Sequence, residues 1–364
     1  MRNVWISLGL ALGFASYAGA EFAQPAFNGE ITGGYRKDNF SWSMSGTHNS
    51  PEELWEMDWN DLEILESTAR FSYTSCNNYT TRINGGYGII RSGQCKARAN
   101  AKHKHFHRVG EDSSSSSSSS SRNRGGAIDD PAFNTLDNTG RPLRDHHGLY
   151  SRINGDAKNG HVIDVQGGFG YQVTSNGRRF VATPMVGYAF RELRLDLRKA
   201  KQLVNRIDVP IVLGDIPDLN FRYKPRVQGF WVGLDFEVMV EVPCVILFGS
   251  VEYHWDQYRA TGNWRLGDQF STSFKDKTSG TGMIAYLGAN YRLGSGWYIG
   301  VIGYYRNWHG ERGKHSTKST TNTLANPNQV FGTIPVTGSG THLNRIKWNS
   351  WSAAITLTYR IWDF

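Results

Sequence analysis

Apolar and polar positions alternate along much of this chain. From Val245 onward, Val245, Leu247, Val251 and Tyr253 share one parity with Gly249, while Phe248, Ser250, Glu252, His254 and Asp256 take the other. A period of two puts the two sets on opposite faces of a β-strand. The pattern recurs where Phe230, Val232, Leu234, Phe236 and Val238 oppose Gly229, Trp231, Gly233, Asp235 and Glu237. It recurs again where Ile163, Val165, Phe169 and Tyr171 oppose Val162, Asp164, Gln166 and Gly168, and where Ile355, Leu357, Tyr359 and Ile361 oppose Thr356, Thr358 and Arg360. Ten strands are expected, at about 28–45, 52–75, 79–93, 160–173, 178–199, 221–241, 245–264, 274–293, 296–312 and 344–362. The second is the least regular, because both parities between Leu54 and Leu65 mix acids with apolar residues.

The connections alternate in length. Ser75-Cys76-Asn77-Asn78, Ser175-Asn176-Gly177, Val242-Pro243 and Gly294-Ser295-Gly296 are short and built from residues that tolerate tight bends. Between them stand longer segments at 46–51, 94–159, 200–220, 265–273 and 313–343. Short turns at one end and long loops at the other, on an even number of strands, predict an all-β, transmembrane, antiparallel up-and-down β-barrel. Its apolar faces meet lipid, and the acids and His254 point into the lumen. Many strands exceed the roughly 9–11 residues needed to cross a bilayer, so the barrel is expected to project beyond it on the loop side. Trp231, Tyr253, Tyr291, Trp297, Tyr298 and Tyr359 are candidates for aromatic girdles.

Composition narrows the class. A mean hydropathy of −0.48 does not suit a helical membrane protein. With 41 glycines and 13% aromatics it does suit a barrel, whose lumen positions are polar. Residues 1–20 read as a signal peptide: Arg2, an apolar run from Val4 to Ala15, then Ala18-Gly19-Ala20. The barrel would then occupy 21–364 in the outer membrane of a Gram-negative cell. The formal charge of +8 favours anionic partners such as phosphorylated lipid headgroups. Three cysteines, Cys76, Cys95 and Cys244, make no even disulfide framework and lack zinc spacing.

The segment 94–159 is expected to be a long disordered surface loop, since the unbroken run from Ser113 to Ser121 cannot bury apolar surface. It carries Lys102, His103, Lys104, His105, His107 and Arg108, a candidate metal-binding or anion-binding set, though a solvated basic loop explains it as well. Asp145 and His146 could form a carboxylate–imidazole pair, or simply be solvated. Inside the barrel, Asp235, Glu237, Glu252, His254 and Asp256 are expected to form a charged network, with Arg36, Arg82, Arg191 and Arg306 as partners.

The stretch 223–312 resembles the omptins, ten-stranded outer-membrane barrels with a surface protease site. The run Phe274-Lys275-Asp276-Lys277-Thr278-Ser279-Gly280 carries the likeness, followed by Gly288, Tyr291, Gly300 and Tyr304. Tyr223 to Gly233, Gly85 to Gly93, Asp58-Trp59 and Tyr359-Arg360 are similar too. The chain also resembles the outer-membrane proteins of chlamydia-related bacteria, of Protochlamydia type. The omptin likeness implies an aspartate pair after the third strand and an Asp–His couple atop the seventh, activating water. Here 92–98 reads Ser-Gly-Gln-Cys-Lys-Ala-Arg and 261–268 reads Thr-Gly-Asn-Trp-Arg-Leu-Gly-Asp, so neither half is present. The expectation is an omptin-like barrel with no catalytic residue of that kind and no cofactor. Its role would be surface interaction or structure, with outer-membrane lipid, lipopolysaccharide and a host or cell-surface ligand as partners and nucleic acid excluded. The alternatives are a porin-like pore for small solutes and a surface endopeptidase with a displaced catalytic site.

Overall fold

The computed structural model describes residues 25–45, 53–100, 149–175, 179–205, 213–216, 219–240, 244–266, 270–321 and 342–362. They form β1 (Ala26–Ser45), β2 (Glu53–Thr74), β3 (Tyr79–Asn100), β4 (Leu149–Ala157), β5 (His161–Tyr171), β6 (Val173–Thr174) and β7 (Phe180–Asn205). These are followed by β8 (Gly214–Asp215), β9 (Leu219–Met239), β10 (Val245–Leu266), β11 (Phe270–Gly294), β12 (Trp297–Thr321) and β13 (His342–Trp362). Every pairing is antiparallel, and β1 pairs with both β2 and β13. The segments β4, β5 and β6 share one place in the wall between β3 and β7, and β8 rides on the end of β7. The remaining nine long strands complete a closed ring of ten wall positions. Closure leaves no unpaired edge, which a sheet in hydrocarbon requires.

The wall has two zones in which the faces exchange roles. Near the short turns the outside is apolar: Ile31, Phe169, Phe230, Leu287 and Ile355 are each at least 61% exposed, the state expected of side chains solvated by lipid. In the same zone Glu30, Thr32, Arg82, Ser250 and Thr356 point inward, all buried. Near the long connections the inside is apolar, with Phe40, Trp42, Trp59, Phe221, Tyr258 and Trp264 buried, while Arg222, Arg226, Arg259, Lys277 and Lys314 stand outside in the exposed class. The first zone is built for a bilayer. The second is built like a water-soluble barrel with its own core.

Breaks in register explain where simple alternation fails. Asp61, Lys199 and Arg312 adopt positive φ of 54°, 50° and 53°. At Asp61 the pairing slips on both sides of β2, and the buried parity passes from Trp55, Met57 and Trp59 to Leu62, Ile64 and Glu66. One extra residue on one strand turns every later side chain to the other face. This bulge is the cause of the mixed parities between Leu54 and Leu65.

Three expectations differ from the structure. The expected loop 94–159 supplies wall at both ends, because β3 continues to Asn100 and β4 begins at Leu149; residues 101–148, including Ser113–Ser121, lie outside the described residues. The segments 200–220 and 313–343 are likewise shortened by strand. Two of the six girdle aromatics, Trp231 and Tyr298, are inside the barrel at 1% and 5% exposure, where each lies against an arginine. Tyr253, Tyr291, Trp297 and Tyr359 do face outward.

Candidate functional site: a layered barrel interior

The lumen is filled in layers, each set by the residue type that alternation turns inward. Lowest, beside the short turns, is a polar vestibule of about 160 Å³ bounded by Asn28, Thr74, Thr80, Gln172, Asp235 and Arg360 among others. Arg360 grips Glu237 through two hydrogen bonds of 2.8 and 3.0 Å and lies over the ring of Tyr298. Arg70 lies 4.4 Å from the ring centroid of Tyr286 and donates to Tyr304 Oη at 3.0 Å. A smaller cavity of about 50 Å³, also reached by Arg70 and Tyr286, sits beside it.

The charged layer lies above. Arg36 is completely buried and donates to Asp38 at 2.8 and 2.9 Å, to Glu66 at 2.9 Å and to Asp164 at 2.7 Å. Trp348 donates its indole N–H to the same Asp38 at 2.9 Å. Arg82 bridges Asp235 and Glu252 and lies over Trp231. Glu252 also accepts from Gln166 at 3.0 Å and lies 3.1 Å from His254 Nε2. Arg191 contacts the His254 ring and lies 3.8 Å from Asp256, and Arg306 approaches Glu66 at 3.9 Å. Ionised side chains removed from water are tolerable only when paired and hydrogen-bonded, and Arg36, Arg82 and Arg191 each meet more than one partner, whereas Arg306 reaches a carboxylate only at 3.9 Å. The structure thus brings Glu252, His254, Asp256 and Asp235 into one cluster with Arg82 and Arg191. Glu237 stands apart, in the vestibule with Arg360. Asp38, Glu66 and Asp164 complete the network; alternation already turns Asp164 to the lumen face, whereas it does not single out Asp38 or Glu66.

The third layer is an aromatic plug, and its contacts cross the lumen. Trp59 of β2 stacks on Phe221 of β9 at 6.2 Å, Trp55 of β2 meets Trp264 of β10 at 6.0 Å, and Trp42 of β1 meets Phe274 of β11 at 5.7 Å. Phe40 reaches Tyr223 on the far wall at 5.9 Å. Within the plug Asp276, fully buried, accepts from Tyr223 Oη at 2.8 Å and lies 2.6 Å from His315 Nδ1; Tyr223 Oη is 2.7 Å from Tyr258 Oη. This part of the barrel stands above the apolar belt. Burial and the nearby Asp276 carboxylate hold the Tyr223 and Tyr258 phenols well above their ordinary ionisation range, so both remain donors.

The plug occupies the place where the omptin resemblance would put catalysis. From 92–98 the chain turns Cys95 and Ala97 inward, buried at 1% and 2%, and from 261–268 it turns Trp264 inward at 3%. The candidates Lys102, His103, Lys104, His105, His107, Arg108, Asp145 and His146 lie outside the described residues. Among the described residues no three His, Cys, Asp or Glu gather as a metal site. Cys76 and Cys244 are free and exposed in turns at the short-turn end, and Cys95 is free and buried.

A closed ring of ten antiparallel strands with a lipid-facing belt defines an outer-membrane β-barrel. The model of the family described as Protochlamydia outer membrane protein matches residues 30–132 and 143–361. The chain belongs to that family. No curated protein sequence matches it. Among solved structures it is similar to the outer membrane protease OmpT of Escherichia coli, at 11% identity and a TM-score of 0.61, covering 94% of this chain and 98% of that one. It also aligns with the outer membrane protein OprG of Pseudomonas aeruginosa, at 9% identity and a TM-score of 0.32 over 94% of this chain and 99% of that one. The translocator domain of the autotransporter NalP of Neisseria meningitidis aligns at 10% identity and a TM-score of 0.31, over 98% and 95%. The OmpT likeness is one of fold.

Proposed function

We propose that this barrel is closed to solutes and acts at the cell surface, in interaction or membrane structure, without the protease activity of OmpT. The observation that carries this reading is the aromatic plug, whose rings from β1 and β2 meet rings from β9, β10 and β11 across the lumen. A ten-stranded ring has little interior to spare, and the porins that hold an aqueous channel have about 16–18 strands. In this reading residues 1–20 direct export and are removed. The outward Arg259 and Lys277, cross-strand neighbours above the apolar belt, face the phosphates of outer-leaflet lipid, lipopolysaccharide included, while Arg226 beside them is already paired with Glu192. Such like-charged neighbours repel one another unless anions lie against them. The long connections supply the surface for a host or cell-surface ligand.

Planar-bilayer recording and peptide digestion test the proposal together. Refolded protein is expected to give no stable conductance steps, and to leave basic peptides intact with lipopolysaccharide present. Cleavage that disappears in Asp145→Ala would instead establish a displaced catalytic site. A pore is the second reading, favoured by the polar lower lumen and its cavities of about 160 and 50 Å³. Regular conductance steps from the native protein would establish it and refute the sealed barrel.

A further inference from the structure

On the lipid-facing side of β1, β12 and β13 the wall is hollowed. Ala353 and Gly303 are cross-strand partners there, with Gly33 beside them on β1. A side chain added at Gly33 would meet nothing within 4 Å, and one at Gly303 would meet only a carbonyl oxygen at 3.8 Å. Leu287, Val301 and Ile355 rim a shallow apolar groove of about 670 Å³ around this floor. Small residues alone do not define a site, but the column above them is ordered by chemistry. The next outward pair up the wall is Trp351 with Tyr305, then Asn349 with Asn307, whose amides hydrogen-bond, then Lys347 with His309. Lys347 and His309 are exposed, and among the described residues no carboxylate pairs with Lys347.

From these rows we infer that the hollow seats one acyl chain of an anionic outer-leaflet lipid, with its phosphate at Lys347 and His309. The order apolar floor, aromatic pair, amide pair, cation is the order of a lipid from tail to interface to headgroup. The hollow lets a chain lie closer to the backbone than the bulky belt elsewhere permits, which adds dispersion contacts an ordinary annular lipid lacks. The polarity of the column fixes the leaflet, since the cations lie on the side away from the short turns. This inference rests on the membrane placement of the barrel, not on whether its lumen is sealed.

Native mass spectrometry of the refolded barrel in detergent, titrated with lipid A, tests it. Phosphatidylcholine serves as the zwitterionic comparison. Native protein is expected to retain one lipid A in preference to phosphatidylcholine. Gly303→Phe, which fills the hollow from the outside, and Lys347→Glu, which reverses the headgroup charge, are each expected to weaken retention about tenfold. Heat-modifiable mobility in gels verifies that both variants are folded. Equal retention by native protein and both folded variants overturns the inference. A dimer that Gly303→Phe abolishes, with no lipid preference, overturns it in favour of a second copy of the chain on this face.

Discussion

Replacing Arg36 by methionine removes the centre of the charged layer. Arg36 has no exposure and makes four hydrogen bonds to three carboxylates, those of Asp38, Glu66 and Asp164. Methionine matches much of the side chain's length but neutralises none of these acids. Deleting one partner of a buried pair costs about 3–5 kcal/mol, because the charge left behind is uncompensated. Arg306 near Glu66 and the Trp348 donor to Asp38 remain as partial compensation, so the lower end, about 3 kcal/mol, is expected. That is a large share of a typical folding free energy of about 5–15 kcal/mol. The assay is urea unfolding in detergent micelles, followed by tryptophan fluorescence and by heat-modifiable mobility. A second variant, Arg36→Met with Glu66→Gln and Asp164→Asn, removes charge on both sides and is expected to recover at least half of the loss. A single substitution costing less than about 1 kcal/mol, or a triple variant no better than the single one, would refute the claim that uncompensated carboxylates carry the penalty.

Trp264→Ala removes one ring of the plug where it stacks on Phe221 at a centroid distance of 4.0 Å, and is expected to cost about 3–5 kcal/mol in the same unfolding assay. Combining it with Trp55→Ala and Phe221→Ala should add measurable conductance in planar bilayers if the plug is the seal. The raised phenols of Tyr223 and Tyr258 make a pH prediction whose sign follows from linkage: the fold favours their protonated form. Their contribution is fully present at neutral pH and is lost as pH climbs above ~10, where the unfolded phenols ionise. The urea midpoint should therefore fall between pH 9 and pH 11 by more in native protein than in Tyr223→Phe/Tyr258→Phe. Cys76 and Cys244, exposed at the short-turn end, should be alkylated by a membrane-impermeant maleimide in permeabilised cells but not in intact ones, and buried Cys95 in neither until unfolding.

Much of the membrane zone was legible because a period of two has one physical meaning there. Val245, Leu247, Val251 and Tyr253 are apolar since lipid touches them, and the intervening Glu252, His254 and Asp256 are polar since they pair inside. The cap was harder to read because the same period carries the opposite meaning once the strand leaves lipid. Nothing in the run from Arg259 to Trp264 announces that its apolar residues now face inward. The bulge at Asp61 compounds this by exchanging parity within one strand, and no local composition marks it. Trp231 and Tyr298 were misassigned for a related reason. A large aromatic on a barrel strand suits an interfacial girdle, yet it equally suits a buried arginine, and only the partner on another strand decides. The charged network was half visible. Acids clustered on β9 and β10 could be grouped by parity, but Asp38, Glu66 and Asp164 join through Arg36 from three other strands.

The exchange of faces has a consequence for where the connections begin. On β10 the apolar belt ends near Trp255 and the strand ends at Leu266, eleven residues farther on. At about 3.3 Å per residue and the tilt typical of such barrels, this pedestal rises about 25–30 Å. Electrostatic influence from the headgroups decays within about 8 Å at physiological ionic strength. The wall at Leu266 therefore ends beyond the reach of the bilayer's own charge, so recognition at this rim is set by what arrives from outside rather than by the headgroups beneath it.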